Sequence, residues 1–154
     1  MPNLRRATPE DAELIVHQRH IMFADNQLAT EARFEEMDQQ FLSWVRLRLA
    51  DARYVGLLLE EDGQVLAGAG IFFADFPPHF LDVQPCRPYL LNFYTAPQAR
   101  GRGYANLLLR ACVDECASRG AKTVVLHASP FGKPIYEKFG FEQTNEMMLK
   151  LGDN

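Results

Sequence analysis

The sequence predicts an α/β fold, a mixed central sheet of about six to seven strands flanked by about four helices. Stretches of strand length rich in Val, Leu, Ile and Phe alternate with segments whose apolar residues recur at helical spacing. The chain has 154 residues, 17.5 kDa and 47% hydrophobic residues, the size of one ordinary domain with a real core. No repeat, linker or low-complexity tract divides it, so a single domain spanning residues 1–154 is expected.

Each element has a local reason. Asn3 to Ala7 reads as a first strand, and Thr8-Pro9-Glu10-Asp11 as a helix start: a capping residue, a proline for the first helical position, and acids facing the positive end of the dipole. Ala12, Ile15, Val16, Arg19 and Met22 or Phe23 follow on one stripe, and from Thr30 to Ala50 a second stripe carries Phe34, Met37, Phe41, Trp44 and Val45. Apolar runs at 53–60 and 64–74 surround Glu61-Asp62-Gly63, a hairpin signal. Residues 75–88 hold four of the nine prolines and read as a loop, too proline-rich for a helix or a central strand. Tyr89 to Thr95 is a strand, and after Pro97 to Gly103 comes a helix that buries Ala105, Leu108, Leu109, Cys112, Val113 and Cys116 and stops at Gly120. "KTVVLHA" reads as a buried strand, Pro134 to Phe139 as a short helix, and "EMMLKL" as a final strand.

A net charge of -4 argues against a surface built as a whole for nucleic acid. There is no early apolar signal region and no run long enough to cross a bilayer, so a cytoplasmic protein with no membrane partner is expected. Three cysteines, Cys86, Cys112 and Cys116, cannot all pair with one another; they read as reduced thiols, with Cys112 and Cys116 small buried residues of the helix rather than metal ligands. No metal is expected.

The stretch "YTAPQARGRGYANLLLRAC" concentrates the chemistry. Strand, glycine-rich turn and helix suit a phosphate, because the first N–H groups of a helix lack partners and the dipole adds positive charge there. Gly101 and Gly103 let the backbone approach an anion, and Arg100 and Arg102 add charge that pairs with phosphate oxygens. A Walker loop is excluded because no Lys-Ser or Lys-Thr follows the glycines, and a dinucleotide fingerprint fails at Asn106.

Gln98-Ala99-Arg100-Gly101-Arg102-Gly103 fits the Q/R-x-x-G-x-G/A signature of the GNAT acetyltransferase superfamily, between "LLNFYT" and a helix. "VVLHAS" and "IYEKFGF" resemble the family's later strand, closing helix and aromatic-glycine-aromatic turn. The resemblance implies a sheet splayed at the strand before the turn. It also implies acetyl-coenzyme A as donor, its pyrophosphate on Gln98 to Gly103 and the start of the helix at Tyr104 and Ala105, and its pantetheine arm along Phe93, Tyr94 and Thr95. Pantetheine's amides suit the unpaired backbone groups of a splayed strand. Many members carry an Asn on the loop before the catalytic tyrosine; here that loop reads "SPFGKP", with Ser129 available as hydrogen-bond partner to the arm.

Acetyl transfer needs a neutral nucleophile, stabilisation of the oxyanion and stabilisation of the departing thiolate. The resemblance assigns the first stabilisation to a backbone N–H near Tyr94 or Thr95 and the second to Tyr136, whose phenol acts as general acid or as hydrogen-bond donor to the sulfur. For the proton of the amine, Asn92 can hold a relaying water, and His127 and Glu146 can titrate; none is required if the amine arrives neutral.

The expected acceptor is a small-molecule or protein amine, over a region offering Arg19, Phe23, Asp25, the Pro77-Pro78-His79-Phe80 loop and Tyr89. No nucleic acid partner is expected, because an RNA-binding reading of RGRG lacks a base-stacking aromatic motif. A non-catalytic acyl-coenzyme A sensor is the alternative. No cysteine sits in the motif as a carrier, so direct transfer in a ternary complex is expected, and the resemblance makes a homodimer reasonable.

Overall fold

The structure, a computed structural model, describes residues 2–152. The chain runs β1 (Asn3–Arg6), α1 (Ala12–Asp25), α2 (Glu31–Ala50), β2 (Tyr54–Glu61), β3 (Gln64–Asp75), β4 (Cys86–Thr95), α3 (Tyr104–Ser118), β5 (Val125–Leu126) and α4 (Lys133–Phe139). Single 3-10 turns at Pro9–Asp11 and Pro97–Ala99 lead into α1 and towards α3. The five strands form one sheet in the order β1-β2-β3-β4-β5. The first four are antiparallel neighbours, and β5 lies parallel to β4.

Local chemistry explains the boundaries. Thr30 Oγ1 accepts the Arg33 N–H at 3.3 Å and caps α2. The β2–β3 hairpin turns on Asp62 and Gly63 at φ 53° and 75°, the left-handed pair that a two-residue hairpin loop requires. α3 ends where Ala121 N–H reaches back to the Cys116 carbonyl at 3.1 Å across Gly120, at φ 82°.

The sheet separates two apolar layers. Ala12 and Ile15 of α1, Phe41 and Val45 of α2 and Tyr54 of β2 form one. Trp44 stands edge-on to Phe72 there, with centroids 4.9 Å apart. On the other face Leu57, Leu59, Ile71 and Leu90 pack against Leu108, Leu109, Cys112 and Cys116 of α3, and Ile135, Tyr136 and Phe139 of α4 close its end. Burial raises the pKa of both α3 thiols, so they stay protonated as packing groups.

Two departures from regular pairing open the sheet. Gly70 lies opposite Leu91 but Gly68 opposite Tyr94, so Asn92 and Phe93 share the place facing Ala69. This is a β-bulge, and Asn92 adopts φ 62° within it. β5 pairs with β4 only at Tyr89 and Leu90, and beyond them the two strands part. The expected splay is there.

Three expectations are corrected. The sheet has five strands among the described residues, fewer than the six to seven expected, because "EMMLKL" forms no strand and pairs with none of the described strands. "KTVVLHA" is a strand only at Val125–Leu126, where β4 is near enough to bond. β3 extends to Asp75 and β4 begins at Cys86, so Pro88 lies inside a strand, opposite Phe73 and fully buried. A proline is tolerated there because β5 has not yet joined that side. No helix among the described residues is long and apolar enough to cross a membrane.

Candidate functional site

The site begins at the glycine turn. Gly101 and Gly103 both sit in the left-handed region, at φ 80° and 81°, which side chains disfavour. A Cβ on either would meet nothing within 4 Å, so backbone conformation rather than crowding requires glycine, and the turn's surface stays open. Gly103 is the N-cap of α3 without a side-chain cap, and its carbonyl takes the Leu107 N–H at 3.1 Å. The N–H groups of Tyr104, Ala105 and Asn106 precede that first helical bond, the arrangement that receives an anion.

From this turn a groove of about 1020 Å³ runs between the parted strands. Phe93, Tyr94 and Thr95 form its β4 wall, Ala99, Arg100, Gly101, Gly103, Tyr104 and Ala105 its turn and helix end, and Ser129 and Tyr136 its far side. Gln98 and Arg102 do not line it; the Arg102 guanidinium donates to the Gln98 carbonyl at 3.2 Å on the exposed side of the turn. Arg100 lies 3.8 Å from Asp25, which reaches the groove from the end of α1. Sequence reasoning did not pick out Asn26 and Phe131, which also line it, and placed Met22, a third lining residue, only on the apolar stripe of α1. Only the fold brings the end of α1 and the tip of the "SPFGKP" loop to the glycine turn.

Tyr136 stands where this groove meets a second cavity, of about 570 Å³, whose walls share Phe93, Ser129 and Tyr136 with the first. Phe93 and Phe141 meet its ring edge-on at 5.8 and 5.9 Å. A Cβ at Gly132 would lie 2.9 Å from the same ring, so this glycine lets the loop close over the tyrosine. Ser129 Oγ accepts the Gly132 N–H at 3.1 Å and tightens that loop. The Tyr136 hydroxyl makes no hydrogen bond among the described residues, and burial, followed by the nearby Cys112 thiol, pushes its pKa up to about 12. It is thus a neutral donor, free to meet a ligand atom.

The second cavity is built on the bulge. Asn92 Oδ1 accepts from Arg19 Nη1 at 2.6 Å, and Asn92 Nδ2 donates to the Tyr54 hydroxyl at 2.9 Å. Gly68 and Gly70 make room for this buried network. Their added Cβ atoms would lie 2.8 Å from Gln18 Oε1 and 2.0 Å from the Tyr54 hydroxyl. The Arg19 guanidinium sits between the rings of Phe23 and Phe41, 4.7 and 4.6 Å from their centroids. It forms no ion pair among the described residues, its buried Nε has no partner, and desolvation lowers its pKa. The carboxylate it feels, Asp38, is bonded to His20 Nδ1 at 2.6 Å.

Tyr89, His127 and Glu146 stand in series, the first two on the cavity wall. The Tyr89 hydroxyl is 2.8 Å from His127 Nδ1, and His127 Nε2 is 2.6 Å from Glu146 Oε2. His127 and Glu146, separate candidates in the sequence, are one chain of hydrogen bonds that starts at Tyr89, and Tyr89 and His127 both line the cavity. Burial raises the Tyr89 pKa. Arg19, Phe23 and Tyr89 of the expected acceptor region line this cavity; the Pro77–Phe80 loop touches neither space.

A model of the acetyltransferase (GNAT) family matches residues 18–141. A GCN5-related N-acetyltransferase of known structure from Ralstonia eutropha is 34% identical, with a TM-score of 0.93 over 98% of this chain and 99% of that one. A predicted acetyltransferase from Clostridium acetobutylicum, crystallised with acetyl-CoA, is 33% identical, with a TM-score of 0.89 over 99% of this chain and 96% of that one. A glucosamine-6-phosphate N-acetyltransferase from Arabidopsis thaliana shares the fold at 21% identity and a TM-score of 0.66, over 99% of each chain. No curated protein matches the chain.

Proposed function

The chain belongs to the acetyltransferase (GNAT) family, and from that premise we propose that it transfers an acetyl group from acetyl-coenzyme A directly to the amine of a small molecule in a ternary complex. The meeting of the two cavities at the free hydroxyl of Tyr136 carries this reading. Acetyl-coenzyme A supplies a thioester: the amine nitrogen bonds to its acyl carbon as the carbon–sulfur bond breaks. The open turn at Gly101 and Gly103, with the first N–H groups of α3, receives the pyrophosphate. Phe93, Tyr94 and Thr95 offer backbone groups on the side where β5 has parted, both to the pantetheine amides and to the carbonyl oxygen as charge develops. Tyr136 donates a hydrogen bond to the departing sulfur. Its raised pKa suits a donor that keeps its proton until negative charge appears.

The acceptor occupies the second cavity, whose volume of about 570 Å³ favours a small molecule over a folded protein surface. Tyr89 passes the proton of the attacking nitrogen to His127, with Glu146 steadying the imidazole. Asn92 acts by holding Arg19 and Tyr54 in place, and Arg19 faces an anionic group on the acceptor. The reaction takes place in the cytoplasm, in one domain spanning residues 1–154.

Coenzyme A release from acetyl-coenzyme A, measured against a panel of amino acids and their carboxamides, tests this reading. Acetylated product is expected, with the acids preferred and that preference lost in Arg19→Gln. Binding of acetyl-coenzyme A without turnover of any amine would instead support a sensor.

A further inference from the structure

The second cavity carries a single fixed charge. Among the described residues Arg19 lines it and no aspartate, glutamate or lysine does. The acidic side chains of the neighbouring segments are already engaged: Asp25 lines the other groove, 3.8 Å from Arg100, Asp38 and Glu31 hold the two ring nitrogens of His20 at 2.6 and 2.9 Å, and Glu146 holds His127. An ammonium group reaching into this cavity would lose its water and gain no counter-charge.

The rest of the wall is mostly apolar. Met22 and Phe23 reach it from the end of α1, Leu28 from the turn that follows, and Leu126 and Pro130 from β5 and the loop beyond. Leu28 is 66% exposed, so a ligand side chain laid against it removes apolar surface from water on both partners. Arg19 and the Tyr89 hydroxyl are close enough for the charge of each to shift the titration of the other. A carboxylate on Arg19 and a nitrogen at Tyr89 are therefore a short span apart, which suits an amine and a carboxylate carried on one carbon.

We propose, on the reading that this cavity receives the acceptor, that the acceptor is an α-amino acid with an uncharged apolar side chain such as that of leucine, methionine or norleucine, and that Leu28 with Met22 selects that side chain. Its carboxylate pairs with Arg19, its nitrogen faces Tyr89, and its side chain lies against Met22 and Leu28. The nitrogen arrives neutral, bonds to the acyl carbon as the carbon–sulfur bond breaks and gives up one proton, while the departing thiolate takes up one. The products are the N-acetylated amino acid and coenzyme A. The same wall discriminates against other amines: lysine and polyamines bring an ammonium group without a partner, and aminosugars bring hydroxyl groups that the apolar side chains cannot satisfy.

Norleucine and lysine share one carbon chain and differ in the terminal ammonium group, so the pair isolates the selection. Coenzyme A release is measured with each as acceptor, and each is titrated calorimetrically into the protein with coenzyme A present. Norleucine is expected to be preferred by at least about 100-fold in kcat/KM and to bind more tightly. Leu28→Glu, a change at an exposed turn position, is expected to cut that preference by at least about 10-fold by giving the ammonium group a counter-charge. Leu47→Glu, also exposed but lining neither cavity, is expected to leave it intact. Equal use of norleucine and lysine, or a preference unmoved by Leu28→Glu, would overturn the proposal. The two readouts separate it from the transfer reaction itself. Selective binding of norleucine without coenzyme A release would support the side-chain pocket and remove the activity, whereas acetylation of lysine or a polyamine as fast as norleucine would keep the activity and overturn the pocket. Norleucine that neither binds nor turns over also overturns it.

Discussion

In the proposed reaction Tyr136 and Arg19 act by different physics. Tyr136 is a neutral donor whose hydroxyl has no hydrogen-bond partner among the described residues, so the proposed reaction assigns its contribution to the bond-breaking step. Tyr136→Phe is expected to lower kcat about 100-fold while leaving the KM for acetyl-coenzyme A nearly unchanged. Unchanged turnover at saturating substrate across pH would remove it from the mechanism. Arg19 is instead the proposed binding group: clamped between two phenylalanines and fixed by Asn92, it presents charge without searching for a geometry. Its loss in Arg19→Gln is expected to raise the KM for carboxylate-bearing amines about 10-fold to 100-fold, with acetyl-coenzyme A binding retained.

The bulge in β4 does more than any other element to make the site. It turns Asn92 into a left-handed conformation, parts β4 from β5, and so creates both the groove edge and the second cavity. Gly70 is its silent partner, because a Cβ there would lie 2.0 Å from the Tyr54 hydroxyl that Asn92 holds. Gly70→Ala is expected to destabilise the protein by about 3 kcal/mol in urea titration, and a change below about 0.5 kcal/mol would mean the network is not rigid. These elements were unequally legible in the sequence. The glycine turn could be read because left-handed backbone before a helix demands glycine and leaves a local signature. The bulge could not, since an asparagine inside "LLNFYT" looks like any polar strand residue and only its register against β3 exposes it. The Arg19–Asn92–Tyr54 and Tyr89–His127–Glu146 networks join residues far apart in the chain, beyond any periodicity. "EMMLKL" has a strand's pattern but pairs with no strand among the described residues.

The molecule as a whole ties its stability to keeping buried phenols neutral. Tyr54 and Tyr136 both titrate near pH 12, raised first by burial, and the buried Cys112 and Cys116 thiols shift the same way. Groups raised in the folded state bind protons more tightly than in the unfolded chain. Their stabilisation is therefore complete below about pH 9 and is lost as pH rises towards 12. Tyr54 alone accounts for roughly 2–3 kcal/mol of that loss, and the partly open Tyr136 for less. The urea midpoint is expected to fall between pH 9 and 12, less steeply in Tyr136→Phe; a flat profile would contradict the buried, neutral phenols. The proposed activity rests on one event, the seating of acetyl-coenzyme A on the glycine turn between the parted strands. Calorimetric titration of acetyl-coenzyme A into the wild type and into Gly103→Trp, which fills the open turn without touching Tyr136, tests it directly. The account requires saturable one-site binding by the wild type and at least a 100-fold loss in a still-folded Gly103→Trp. A folded wild type that binds none, or a variant that binds as well, would contradict it.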